Sequence, residues 1–181
     1  MPAARTIRLV VFVLGLMAFG AGVGIYSANQ YRPAPQPAVE GLLWPNPKQI
    51  REFVLIDQDG APFDLARLRG KWSFVFFGYT HCPDVCPITL SVLGLVHGAL
   101  AAEGPEGESV QTLFVTVDPK RDSPQRLADY VRYFDKDFIG LGGTQEQVSS
   151  LSSQLGVAYF HSPASADGNY LVDHSAAVFL I

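Results

Sequence analysis

Cysteine is scarce in this chain of 181 residues: there are two, Cys82 and Cys86, too few for a disulfide scaffold. Cationic charge is short as well. Lys and Arg total 13 against 17 Asp and Glu, a net charge of -4, which argues against a nucleic-acid partner because little basic surface is left to release phosphate counterions. No internal repeat is evident. With an apolar N-terminal segment set aside, the rest suits one ordinary globular domain. What cysteine there is lies together, and a single closely spaced pair points to redox or metal chemistry.

Arg5 and Arg8 precede an uncharged stretch from Leu9 to Tyr31. About 17–25 apolar residues suffice to cross a bilayer, and residues 9–26 are read as a single transmembrane anchor. Basic residues on the N-terminal side leave residues 1–8 in the cytoplasm and export the remainder of the chain. A cleaved signal peptide is the rival reading, since small residues such as Ala18, Gly20 and Ala21 offer a cleavage site. Residues 27–50 contain Pro33, Pro35, Pro37, Pro45 and Pro47. Such a segment forms neither helix nor paired strand, and is expected to be an extended linker.

The domain is expected over residues 51–181, with an α/β fold. Phe53–Ile56, the turn Asp57-Gln58-Asp59-Gly60 and Pro62-Phe63 predict an N-terminal β-hairpin, followed by a short turn capped by Asp64. A strand over Trp72–Tyr79, a helix to about Leu100, a loop Glu103–Ser109 and a strand Gln111–Val117 form a parallel crossover unit. Ser123 caps a helix with Pro124 at its first position and a buried stripe of Leu127, Tyr130, Val131 and Phe134. A short strand Phe138–Leu141 comes next. Thr144 and Gln147 make a capping box for a helix ending at Gly156, and Tyr170–Val172 and Ala176–Ile181 read as strands.

The cysteines sit where the apolar strand Phe74-Val75-Phe76-Phe77 turns into the helix containing Ile88–Leu93. Residues four apart on a helix share a face. Two thiolates placed so can close a disulfide or grip one soft metal ion, and a helix N-terminus favours thiolate over thiol. A purely structural disulfide would close a tiny loop and remove little entropy from the unfolded chain. Three residues intervene where dithiol oxidoreductases usually have two, which weakens that reading without removing it. His174 lies far away in sequence, just before the last strand. With the two thiolates it would make a three-coordinate set suited to Cu(I) and adaptable to Cu(II), whereas zinc prefers a fourth ligand. From spacing alone, a surface or hydrogen-bonded histidine is the more ordinary reading of His174. His81, His97 and His161 are expected to be exposed, along the first helix, and in a loop, respectively.

Three segments, Gly78-Tyr79-Thr80-His81-Cys82-Pro83-Asp84-Val85-Cys86-Pro87, Val117-Asp118-Pro119-Lys120-Arg121-Asp122-Ser123-Pro124 and Asp173-His174-Ser175, resemble the signature segments of the Sco/SenC family. They occur in the family's order, behind one anchor and a proline-rich spacer, and the likeness extends from about Leu43 to Ile181. The resemblance implies a thioredoxin-like fold with copper, as Cu(I), Cu(II) or both, held by Cys82, Cys86 and His174. It implies assembly of the copper centre of cytochrome c oxidase subunit II by a metallochaperone, a thiol reductant of that subunit or both, and the metallochaperone is the reading adopted, with thiol–disulfide oxidoreductase activity left open. Other copper chaperones or thioredoxin-like reductants are further expected partners. The location implied is the bacterial inner membrane with the domain facing the periplasm, or the mitochondrial inner membrane facing the intermembrane space. Asp118 and Asp173 are expected either to orient ligands or to serve turns and caps. Family members continue through another strand and a C-terminal helix, so that pair is expected to be missing beyond Ile181. A thiol–disulfide oxidoreductase reducing the cysteines of subunit II, and a copper or redox sensor, are the rival functions. Thioredoxin-type oxidoreductases have a cis-proline where this chain has Asp173-His174-Ser175, which favours metal.

Overall fold

The computed structural model describes residues 14–24, 26, 47–104, 109–165 and 168–181. The chain divides into two compact units, Met1–Pro47 and Lys48–Ile181. In the first, residues 14–24 and Tyr26 are helical, with Leu14, Leu16, Met17, Phe19 and Val23 exposed. Among the described residues no helix is long and apolar enough to cross a membrane. Residues 9–13 and 25 of the expected anchor lie outside the described residues, as do 27–46 of the expected linker.

The second unit is built on a mixed sheet. Strands β1 (Val54–Asp57) and β2 (Pro62–Asp64) form the expected hairpin, and Gly60 at φ +84° turns it where a side chain would be strained. Strands β3 (Trp72–Gly78), β4 (Val110–Thr116) and β5 (Ile139–Gly142) are parallel. Parallel neighbours need a long crossover. Helix α1 (Val85–Ala101) supplies one between β3 and β4, and α2 (Pro124–Phe134) the other between β4 and β5. Strand β1 closes antiparallel on β5, and β8 (Val178–Leu180) closes antiparallel on β3. Among the described residues the order across the sheet is β2-β1-β5-β4-β3-β8. Of the loop Glu103–Ser109, residues 105–108 lie outside the described residues.

Alternation along β3 and β4 divides the core in two, because successive side chains point to opposite faces. Phe76 and Phe114 are register partners, and pack with Cys86, Leu90 and Leu93 of α1 and Leu127 and Val131 of α2. Val75, Phe77, Leu113 and Val115 face the other way, toward Leu55, Phe63 and helix α3 (Gln145–Gln154) through Val148 and Leu151. Burying each such side chain contributes about 1.5–3 kcal/mol, enough to fix the strand register and with it the position of the turn that leaves β3. Ser123 caps α2 by accepting from the Arg126 N–H at 3.3 Å, and the Thr144–Gln147 capping box is present.

One element was not foreseen. Strands β6 (Tyr159–His161) and β7 (Val172–His174) form a separate two-stranded antiparallel sheet. The region expected as a strand over Tyr170–Val172 is therefore displaced toward His174, and His161 ends a strand instead of lying in a loop.

Candidate metal centre

Cys82, Cys86 and His174 come together, with their ligand atoms all within 4.8 Å of one another. The approach differs from the one expected. The cysteines do not share a helix face: Asp84 is the N-cap of α1, so Cys86 is in the first helical turn and Cys82 precedes the helix. The loop bends back instead, with the Cys82 N–H donating to the Tyr79 carbonyl at 3.2 Å. Pro87 sits in the first turn of the helix, where its missing N–H would have no partner anyway.

Both cysteines are free thiols. Cys82 is half-buried and Cys86 fully buried. Burial pushes the Cys86 thiol well above its ordinary range, outweighing the backbone hydrogen bond from Tyr79 that favours thiolate. The expectation that the helix N-terminus would favour thiolate is thus reversed at Cys86, because desolvation is the larger effect. A metal binding there has to displace the proton.

His174 is aimed by two devices. Its strand pairs with β6, Tyr159 opposite His174, and its ring stands edge-on to Tyr79 at 5.9 Å and Phe76 at 6.1 Å. Nδ1 lies 2.9 Å from the Ser175 carbonyl, which can only accept, so the proton is on Nδ1. That leaves the Nε2 lone pair directed to the site, 3.3 Å from Cys86 Sγ. Fixing the tautomer through the second nitrogen is how metal-ligating histidines are usually held.

The loop after β4 holds both halves. Buried Asp122 accepts from Thr80 twice, from the amide N–H at 3.0 Å and the hydroxyl at 2.6 Å, and from the Thr116 hydroxyl at 2.6 Å. It clamps the turn two residues before Cys82. Asp118, also buried, pairs with Arg121 and accepts from the Tyr170 hydroxyl at 2.8 Å. The Arg121 guanidinium lies 3.6 Å over the Tyr170 ring and 5.6 Å from the Tyr79 ring centre, and Nη1 donates to the Tyr170 carbonyl. Asp118 therefore holds Tyr170, on the approach to β7, and its carbonyl accepts within its own loop; it touches none of Cys82, Cys86 and His174. Asp173 is exposed and, by alternation, on the opposite face of β7 from His174. Asp122 and Arg121 had no assigned role in the sequence; their only signal was membership of the second segment.

Other histidines serve elsewhere. His81 is exposed beside Thr80, His97 lies along α1 as expected, and His161 is 4.0 Å from Asp118. His97, Asp135 and Asp137 form a second cluster of donor atoms, but His97 pairs with Asp135 at 2.8 Å and Asp137 with Lys136 at 2.6 Å. The His97–Asp135 contact fastens α1 to the turn before β5, and Lys136–Asp137 lies within that turn.

The residues at the main site fit a soft metal ion. Two sulfurs and one imidazole nitrogen favour copper over hard cations, the walls are the aromatic rings of Phe76 and Tyr79, and the backbone makes room: a Cβ on Gly78 would meet Cys86 Sγ at 2.7 Å. An α/β sheet with two thiols between the end of β3 and the first turn of α1, and an imidazole brought in by a later strand, defines a thioredoxin-like protein with a cluster of soft donors that could hold a metal ion. The SCO1/SenC family model matches residues 45–181, and the chain belongs to that family. It is similar to the mitochondrial SCO2 homolog of Mus musculus, 39% identical over 184 residues spanning 99% of this chain and 69% of that protein. Among solved structures it resembles Arabidopsis thaliana ScoI with copper bound, at 37% identity and TM-score 0.66, covering 72% of this chain and 80% of that one. Yeast Sco1 with copper bound is similar at 37% identity and TM-score 0.67, covering 75% and 74%. Those two solved structures hold copper, the metal that the sequence led us to expect.

Proposed function

We propose that this chain is a copper metallochaperone in which Cys82, Cys86 and His174 carry one copper ion to cytochrome c oxidase subunit II. The single observation that carries the reading is the convergence of those three donors within 4.8 Å from segments far apart in sequence. Copper is cargo here. Cys82, the more exposed sulfur, is where an incoming ligand of the acceptor would first compete, while Cys86 and His174 keep their hold from the buried side. Oxidation of the pair to a disulfide would remove both thiolate donors and expel the ion, so redox state would gate loading. Residues 9–26 would anchor the domain in the membrane and 27–50 would space it from the surface. Residues 51–181 would then work in the periplasm or the intermembrane space.

A second reading keeps the same residues as a thiol–disulfide oxidoreductase acting on the cysteines of subunit II. The observation that favours it is the pairing of a half-exposed Cys82 with a fully buried Cys86, as an attacking and a resolving thiol require. The two readings part at His174. The full chain, reduced and free of oxygen, is titrated with copper(I) beside His174→Ala. One ion bound by the parent and lost or greatly weakened in the variant is expected. Equal binding by both would remove His174 from the ligand set and return the site to thiol exchange.

A further inference from the structure

Strand β6 has one edge paired and one edge open. The Ser175 N–H donates to the Ala158 carbonyl at 3.1 Å, and the Ser162 N–H to the Leu171 carbonyl at 2.9 Å. In an antiparallel pair the residues that exchange such bonds alternate with residues that do not. Ala158, Phe160 and Ser162 therefore bond toward β7, and the N–H and C=O groups of Tyr159 and His161 point the other way. Among the described residues no protein group hydrogen-bonds to them. The outer edge of β7 differs, because there the Val172 N–H meets the Tyr79 hydroxyl. An unpaired edge is a template for another strand, and folded proteins usually cover or interrupt it. This one is braced instead. The Tyr159 hydroxyl accepts from Gln145 Nε2 of α3 at 2.6 Å and lies 2.8 Å from the Ser149 hydroxyl, so β6 is held ready beside that helix.

The strand and the helix line a groove of about 720 Å³, with Tyr159, His161 and Ser149 in its walls and exposed Lys120 among its lining residues. No carboxylate is among the described residues that line it. The Asp118 carboxylate, 4.0 Å from His161, is buried and paired with Arg121. In a chain of net charge -4, the groove is thus locally cationic. We infer that β6 is a docking edge for an extended acidic segment of the protein that accepts the copper, which adds to it as a further strand. The backbone of that segment would pair with Tyr159 and His161, and its carboxylate would meet Lys120. A second copy of this chain would bring another Lys120 to the groove, which disfavours self-pairing. Neighbouring strands lie about 4.7–4.9 Å apart, so the added strand would run about 10 Å from β7. Tyr159 is the register partner of His174, and the acceptor would therefore be held beside the strand that presents this donor.

The inference rests on the chaperone reading, and paired measurements separate the two. The full chain in detergent is mixed with the copper-free exported domain of subunit II, and binding is followed by fluorescence anisotropy at low and high salt. Copper(I) binding by the full chain alone is titrated in parallel. His161→Pro removes the outward N–H and keeps the bonds to β7, an arrangement that proline tolerates on an edge strand, whereas His161→Ala keeps the N–H. The acceptor should bind His161→Pro about three- to tenfold more weakly than His161→Ala, which should match the parent. Lys120→Glu should weaken binding about tenfold at low salt and recover part of the loss at high salt. All three variants should keep parental copper binding. Parental acceptor affinity in both His161→Pro and Lys120→Glu overturns the inference. So does a parent that fails to bind the domain, or one that forms dimers abolished by His161→Pro. Weakened acceptor binding in the variants of a parent that binds no copper would uphold the docking edge and sink the chaperone reading.

Discussion

Replacing Gly78 with alanine should damage the metal centre more than its cost in stability would suggest. The added Cβ would lie 2.7 Å from Cys86 Sγ and 2.7 Å from Phe114 Cε2. Neither neighbour has an easy retreat. Both are fully buried, Phe114 between Phe76 and Tyr130, and Cys86 against His174. Ordinary van der Waals contact needs roughly 3.5 Å, so the sulfur must withdraw by about 0.8 Å or more. Metal–ligand bonds tolerate deviations of only about 0.2 Å. Overpacking a core of this kind costs about 1–3 kcal/mol in stability, but the displaced sulfur should also lower copper affinity by at least about tenfold, or 1.4 kcal/mol.

Gly140→Ala is the matched comparison. Its Cβ would meet Leu127 Cβ at 3.1 Å and Val131 Cγ1 at 3.3 Å, overfilling the same cluster without touching a ligand. Denaturant unfolding and copper(I) competition on parent and both variants give the test. Both variants should lose stability, and Gly78→Ala alone should lose affinity. Full parental affinity in Gly78→Ala would refute the steric reasoning, since it would mean that the thiol finds its place without the space the glycine leaves.

Asp122→Asn should cost about 1–3 kcal/mol, because an amide cannot accept from Thr80 and Thr116 as the carboxylate does; an unfolding midpoint equal to the parent's would count against the clamp. Acid should weaken the fold through Asp57 and Asp135. Burial acts to raise the Asp57 pKa, but the Arg67 guanidinium at 2.6 Å and the N–H groups of Ala61 and Asp59 outweigh it and hold the carboxyl below its ordinary range. At Asp135 burial is likewise outweighed, by the Asp137 N–H and His97. Carboxyls depressed in the fold stabilise it above their unfolded value, near 3.8, and that stability is lost as pH falls through the lower folded value. Unfolding free energy should therefore decline below about pH 4, and Asp57→Asn should flatten part of the decline; identical acid slopes in parent and variant would contradict this.

What could be read from the sequence was whatever is written locally. The apolar runs of β3 and β4, the Ser123 and Thr144 caps and the Asp57–Gly60 turn each depend on residues within a few positions, and each stands where it was expected. Strand β6 and its pairing with β7 were illegible for the opposite reason. Three residues are too few to display a period, and their pairing depends on each other across the chain. Tyr159 thus lay unassigned and His161 was placed in a loop, although Tyr159 is the register partner of His174. The cysteines were misjudged in the same way. A spacing of four suggested a common helix face with activated thiols, but the boundary at Asp84 and the burial of Cys86 are tertiary facts.

The second segment shows why three separate stretches amount to one site. Taken alone, Asp118 to Pro124 is a loop leading into a capped helix, and nothing local distinguishes its two aspartates. In the fold, Asp122 reaches back to Thr80 and so fixes the turn from which Cys82 projects, while Asp118 and Arg121 reach forward to Tyr170, at the approach to the strand that ends in His174. Arg121 also lies 5.6 Å from the ring centre of Tyr79, and that ring stands edge-on to the His174 imidazole. Thiol and imidazole are therefore positioned from a common loop that itself provides no ligand. The loop after β4 thus ties together the turn ahead of Cys82, through Thr80, and the approach to His174, through Tyr170.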